Sequence, residues 1–392
     1  MMYDFDAVID RSHSGAAKLE EAEERYGRAD VIPLWIADMD FQTAPCVVDA
    51  VRARAEQGIF GYTWRDPAYY QAIANWQLRR HGWAADTEKM GFSAGVIPGM
   101  HRVLRMITQS GDQVLIQPPV YHPFAQAVEV TGRTLVENPL LRDENGYYTM
   151  DYADLEAKLQ GGVKCVILCN PHNPVGRCWT AEELRTAAEL CVRYGATILS
   201  DEVYGDFALD GHQHVCTANL SPEIAAHTIT FIAPSKTFNL AGLQSSTIVF
   251  DTVEHRLAYD AQMKRDDFAR SNCFAPVAAM AAYTDEGAAW LDQLLDYLSG
   301  NMAFVRDFCA KHLPELVPNT PEGTYLNWID ARALGMDNDT LKRFMVDEAG
   351  VAFSMGADYG KEGDGFLRMN TACPRSVLER ALTQIEQAVH KR

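Results

Sequence analysis

Five short runs of this chain are apolar almost without interruption: Val114–Gln117, Cys165–Leu168, Thr197–Ser200, Thr228–Ala233 and Ser245–Phe250. A strand with one wet face alternates apolar and polar side chains, so strands that do not alternate must be covered on both faces. Between the runs lie helical stretches such as Ala181–Tyr194, opened by Thr180, whose hydroxyl can accept from a free N–H of the first turn. This alternation predicts an α/β fold with a mostly parallel central sheet flanked by helices. Near residue 285 the pattern changes. Gly287–Leu313 reads as one long helix, with Trp290, Leu291, Leu294, Leu295, Leu298, Met302, Val305 and Phe308 near helical spacing. Runs at Thr324–Ile329, Val351–Ser354 and Phe366–Asn370 follow, with helices at Asp339–Ala349 and Ser376–Lys391. Together these predict a smaller α+β domain. The expected division is a large domain over 45–285 and a small one formed by 1–44 with 286–392.

Two domains suit a chain of 392 residues that is 47% hydrophobic. A net charge of −18 argues against a nucleic-acid surface, which needs clustered Lys and Arg. The nine cysteines form no C-x-x-C pair, and several lie in apolar runs such as KCVILCNP. Buried, reduced thiols of a cytoplasmic protein are therefore expected. The acidic start MMYDFDAVIDRSH has no apolar signal-peptide core, and no apolar run reaches the ~20 residues of a membrane helix. No zinc spacing appears, so no metal is expected.

Lys236, in Ser235-Lys236-Thr237-Phe238-Asn239, directly follows the apolar run TITFIAP. That places it at the C-terminal edge of the sheet, where open α/β folds bind ligands. A lysine acts as a nucleophile only when desolvation or cationic neighbours lower its pKa; alone, a lysine after a strand is more often a solvated loop residue. Two other strand ends change the weighting. One run leads into Asn170-Pro171-His172-Asn173-Pro174-Val175-Gly176, the next into Asp201-Glu202-Val203-Tyr204. Asp201 suits a carboxylate set against a protonated ring nitrogen, and Asn173 and Tyr204 suit donors to a ring oxygen. Taken singly, Asp201 would be a turn acid and the Asn-Pro segment a rigid connection. Ser93-Ala94-Gly95-Val96-Ile97-Pro98-Gly99 leads into a helical stretch, and free N–H groups at such a start can hold a phosphate. Tyr121, after another strand, could stack on a ring. Arg368, inside the apolar run FLRMNTA, offers a planar fork for a substrate carboxylate, unless it serves an internal salt bridge.

The ordered set of glycine-led helix start, aromatic, Asn-Pro-x-Gly, Asp-x-x-Tyr and Ser-Lys resembles the fold-type-I, aspartate aminotransferase-like family of pyridoxal-phosphate (PLP) enzymes. PLWIADMDF at 33–41, FGYTWRD at 60–66 and SKTFNLAGLQSS at 235–246 are most similar to its MalY/PatB branch of cystathionine β-lyases. The resemblance implies that Lys236 is the Schiff-base lysine and Asp201 the partner of the pyridinium nitrogen. It implies Asn173 and Tyr204 at the ring oxygen, Tyr121 as the stacking ring and Arg368 as the carboxylate clamp. Gly95, Val96, Ile97 and Ser235 would hold the phosphate, and Tyr62 would reach the phosphate of a neighbouring subunit in a homodimer. Many aminotransferases of this fold carry serine and arginine where this chain has Ala233 and Gln244; the β-lyase branch commonly lacks that arginine. Lys18-Leu19-Glu20 stands where many branch members have Lys-Trp-Asp.

The expected activity is β-elimination of cystathionine or related cysteine S-conjugates to pyruvate, ammonia and a thiol. A class I/II aminotransferase shares every one of these residues and is the nearest alternative. A regulatory protein on the same fold is the alternative from another class. A nucleotide-binding enzyme is weakest, since neither phosphate-binding glycine motif occurs.

Overall fold

The computed structural model describes residues 3–392; Met1 and Met2, which open the 1–44 segment assigned to the small domain, lie outside the described residues. The large sheet has seven strands: β1 (Met90–Ser93), β2 (Gln113–Ile116), β3 (Thr134–Glu137), β4 (Cys165–Cys169), β5 (Thr197–Asp201), β6 (Thr228–Ile232) and β7 (Ser246–Val249). They lie in the order β1-β7-β6-β5-β4-β2-β3. All neighbours are parallel except β7, which runs antiparallel to both β1 and β6. Every residue of β4 and β6 is buried, which explains their unbroken apolar runs. Strands β1 and β3 escape the sequence reading for opposite reasons. Met90-Gly91-Phe92-Ser93 has low strand propensity, and edge strand β3 is only partly buried.

Five helices matter most for the site: α1 (Val96–Ile107), α2 (Ala181–Arg193), α3 (Pro234–Thr237), α4 (Asp285–His312) and α5 (Arg375–His390). At the start of α2, Glu183 N donates to Thr180 Oγ1 (3.2 Å) and Thr180 N donates to the Glu183 carboxylate (2.9 Å). This reciprocal pair satisfies two otherwise unpaired donors. Helix α4 carries most of the predicted apolar stripe into the core: Trp290, Leu291, Leu294, Leu298, Met302 and Val305 are buried, while Leu295 and Phe308 are half-buried.

A second sheet of four antiparallel strands follows: Val317–Pro318, Leu326–Asp330, Phe366–Asn370 and Ser354–Met355 in spatial order. The expected single run Val351–Ser354 is two pieces. Val351–Ala352 pairs in parallel with Ile32–Pro33, while Ser354–Met355 joins Phe366–Asn370. The chain must leave one sheet for the other between them, and the buried Phe353 side chain sits at that switch. The helix expected over Asp339–Ala349 is α-helical only for Asn338–Arg343 and then widens into a π turn over Phe344–Glu348. The N-terminal segment is bound here as well: Leu34 N donates to Ala352 O (2.9 Å) and Asp40 N to Ala372 O (2.9 Å).

Candidate active site

One cavity of about 930 Å³ opens at the C-terminal edge of the parallel strands, the place where crossover topology leaves room for a ligand. Lys236 lies in its wall. It sits in the short helix α3, one turn beyond β6 rather than at the strand end itself, with Pro234 in the first turn. Its Nζ donates to the carbonyl of Ala37 (2.7 Å). Behind it, Thr237 Oγ1 donates to Asp206 Oδ2 (2.7 Å), and Asp206 is also held by Trp76 Nε1 (3.0 Å) and His81 Nε2 (3.0 Å). The lysine therefore stands on a backbone braced from the far side.

Burial, and next the positive charge of Arg368, push the Lys236 pKa down to about 8, against the opposing pull of Asp38 and Asp201. A lysine so placed has a sizeable neutral fraction near neutral pH. Asp201, at the end of β5, accepts from Val203 N (3.1 Å). Burial raises its pKa to about 7, while the Val203 bond and Lys236 act in the opposite direction. A buried carboxylate held this way is stabilised by a cation placed against it.

Tyr204 is buried, and its hydroxyl has no hydrogen-bond partner among the described residues. Arg368 is buried in Phe366–Asn370, and among the described residues no carboxylate pairs with it. Its Nη2 donates to Trp35 O (2.5 Å) and Ser354 Oγ (3.0 Å), and Nη1 to Asn173 Oδ1 (3.4 Å); its Nε is unpartnered. Val96 and Ile97 open α1, so their N–H groups have no carbonyl one turn back and can receive an anion. Gly95 precedes them with extended backbone (φ 176°), and Ser235 lines the same end of the cavity with Ala233 and Gln244. Tyr121 also lines the cavity, with burial holding its phenol protonated up to about 12.

Ten of the eleven residues singled out from sequence thus meet in one cavity. The eleventh, Tyr62, lies outside it with 92% of its surface exposed. Sequence reasoning missed the carbonyls of Trp35 and Ala37, and also Ser354 and Tyr359. The carbonyls carry no side-chain signature, and Ser354 is an unremarkable serine until the sheet brings it 3.0 Å from Arg368.

The cavity suits pyridoxal phosphate on its own chemistry. It combines a desolvated lysine, a carboxylate in need of a cation, an unpartnered buried phenol and a helix start for a phosphate. Among the described residues, one group of metal-type donors, Glu202, His214 and Cys216, falls within 4.8 Å. Its carboxylate is already taken by Ser200 Oγ (2.9 Å), Thr217 N (2.9 Å) and His214 Nε2 (3.0 Å), which brace the segment following Asp201.

An α/β sheet with these groups at its edge defines the fold-type-I architecture. The chain belongs to the aminotransferase class I and II family, whose model matches residues 29–385. It is 39% identical over 386 residues to cystathionine beta-lyase PatB of Bacillus subtilis, covering 98% of this chain and 99% of the relative. Among solved structures it resembles cystalysin from Treponema denticola, which contains a pyridoxal 5'-phosphate cofactor (TM-score 0.95, 32% identity, all of both chains). It also resembles the PLP-bound C-S lyase from Staphylococcus hominis (TM-score 0.93, 32% identity, 99% of this chain and 98% of that one).

Proposed function

We propose that the protein is a pyridoxal-phosphate-dependent carbon–sulfur lyase. It converts cystathionine or related cysteine S-conjugates to pyruvate, ammonia and a thiol. The observation that carries this reading is the convergence of Lys236, Asp201, Tyr204 and Arg368 on one cavity, in a chain with lyase relatives over its full length. When bound, pyridoxal phosphate supplies the electron sink for the negative charge left at the substrate Cα.

The chain's own residues do the rest. Arg368 takes the substrate α-carboxylate: its guanidinium is fixed by the Trp35 carbonyl and Ser354 and carries no compensating acid. Lys236 would hold the cofactor and would serve as the base that removes the Cα proton. Its lowered pKa supplies the neutral amine that this task requires. Asp201 would place a negative charge against the ring nitrogen, favouring its protonated form. Tyr204 and Asn173 would donate toward the ring oxygen, Tyr121 would pack on the ring, and Gly95, Val96, Ile97 and Ser235 would receive the phosphate. Tyr62 completes the phosphate site of the partner in a homodimer. This is supported by the exposed apolar segment around it, with Ile59, Phe60, Tyr62 and Trp64 between 61% and 92% exposed.

Two coarser assignments accompany this reading. The chain divides into a large domain (45–285) carrying the seven-stranded sheet and a small one (1–44 with 286–392). A cytoplasmic location suits nine free cysteines, and no described helix is long and apolar enough to cross a membrane.

The deciding experiment is pyruvate release from L-cystathionine by the purified holoenzyme without an added keto acid. Stoichiometric pyruvate and thiol are expected. A strict requirement for a keto acid, with amino-group transfer to it, would establish the aminotransferase instead.

A further inference from the structure

The deep part of the cavity is accounted for by cofactor and amino-acid chemistry; its mouth is not. Exposed residues of the same cavity wall mark that mouth: Arg25, His122, Gln126 and Asp358. Their charges can be matched one by one. Arg25 is paired with Glu21 (2.9 Å) and lies over the Trp35 ring (4.7 Å). His122 has its pKa lowered, first by burial and further by Arg368 and Arg25, against the opposing effect of Asp358. Asp358 has neither a hydrogen bond nor an ion pair from its carboxylate among the described residues, although its charge is felt by Tyr26, His122 and Tyr359. The cavity therefore holds an unmatched guanidinium inside, at Arg368, and an unmatched carboxylate at its mouth.

The loop that presents Asp358 is rigidly seated. Gly356 and Gly363 approach so closely that a Cβ on either would lie 2.2 or 2.0 Å from the other's carbonyl oxygen. Tyr359 O accepts from Val120 N (3.0 Å), and the buried Tyr359 ring faces Arg368 at 5.2 Å. Asp358 is thus held next to the residue that packs on the carboxylate clamp, on the solvent side of it.

We propose that Asp358 is a specificity-determining residue, and that the cavity favours cysteine thioethers whose departing thiol carries a positively charged amine. The inference rests on the lyase reading for the direction in which substrate lies, with its α-carboxylate at Arg368 and its leaving group toward the mouth. An ammonium at the far end of the side chain then meets Asp358, and a purely alkyl leaving group leaves that carboxylate unmatched.

The test uses the holoenzyme and two pairs of ligands, one member of each carrying a distal amine that the other lacks. L-lysine and L-norleucine cannot undergo β-elimination and differ by the distal amine, so their dissociation constants, measured by calorimetry, read recognition without turnover. Lysine is expected to bind about two- to fivefold more tightly than norleucine, the range for a partly exposed charge pair, and Asp358→Asn is expected to abolish that preference. A structural defect would weaken both ligands together and leave the ratio intact. In turnover, S-(2-aminoethyl)-L-cysteine is expected to have a lower KM than S-propyl-L-cysteine, with the difference lost in Asp358→Asn and kcat little altered. Equal binding of lysine and norleucine to the wild type would overturn the proposal, as would a preference that survives in Asp358→Asn. Absence of pyruvate from both thioethers would instead overturn the lyase reading, leaving the lysine-to-norleucine ratio as an independent measurement.

Discussion

Lys236 and Asp201 share a buried cavity, and each is pushed toward its neutral form by that burial. For Asp201 the consequence for stability can be signed. Its pKa in the folded chain is raised to about 7 from an unfolded value of ~3.9. Between those values the folded chain binds more protons than the unfolded one, so stability falls as pH rises through that window. In cofactor-free protein, Asp201→Asn is therefore expected to raise the melting temperature at pH 8 more than at pH 5. The gain at pH 8 should be on the order of 1–3 kcal/mol; an equal effect at both pH values would contradict the buried-carboxylate account. The same replacement should weaken cofactor retention on dialysis, because the ring nitrogen loses its counter-charge. Arg368 allows a cleaner separation. Arg368→Lys keeps the charge and loses the planar fork, so KM for cystathionine should rise about 10- to 100-fold, from the ~1.5–3 kcal/mol of a charged hydrogen bond. Lys236→Ala should abolish both turnover and the absorbance of covalently held cofactor; full turnover by that variant would refute its assignment.

At the scale of elements, the short helix α3 matters most. Four residues cannot hold a helix by their own propensity, so Pro234–Thr237 depends on its anchors. Thr237 Oγ1 donates to a buried carboxylate that also serves Trp76 and His81. Thr237→Val keeps the shape and removes that bond, and should cost about 1–3 kcal/mol, measured by urea unfolding. Because Lys236 precedes it, the loss should also slow cofactor uptake by the apoenzyme, followed by absorbance; unchanged uptake would show that the lysine does not depend on this brace. The elements themselves were largely legible. Burial on both faces makes central strands apolar throughout, and β4 and β6 fall within a residue of their predicted limits. The switch at Phe353 was not legible, because a continuous apolar run does not say which sheet each half will join.

At the scale of the molecule, the segment Ile59–Trp64 presents large apolar side chains to solvent, and the Arg270 guanidinium lies 5.0 Å from the centre of the Tyr62 ring. A monomer rarely leaves such a patch uncovered. Trp64→Asp is expected to shift the protein toward monomer in sedimentation velocity and to lower cofactor affinity in parallel. An unchanged sedimentation coefficient with full cofactor affinity would overturn the proposed homodimer contact at this segment.

Sequence by itself determined the order in which chemistry-bearing residues meet the sheet edge. A strand's last residues and the loop after it are local in the chain, so Asn173, Asp201 and Lys236 could be placed before any tertiary contact was known. Tertiary structure alone decided what surrounds them. The carbonyl of Ala37 on Lys236, the carbonyl of Trp35 on Arg368, and the unmatched charge of Asp358 at the mouth join segments remote in the chain. Backbone oxygens have no residue identity to read, and whether a charge is matched depends on every element packed around it.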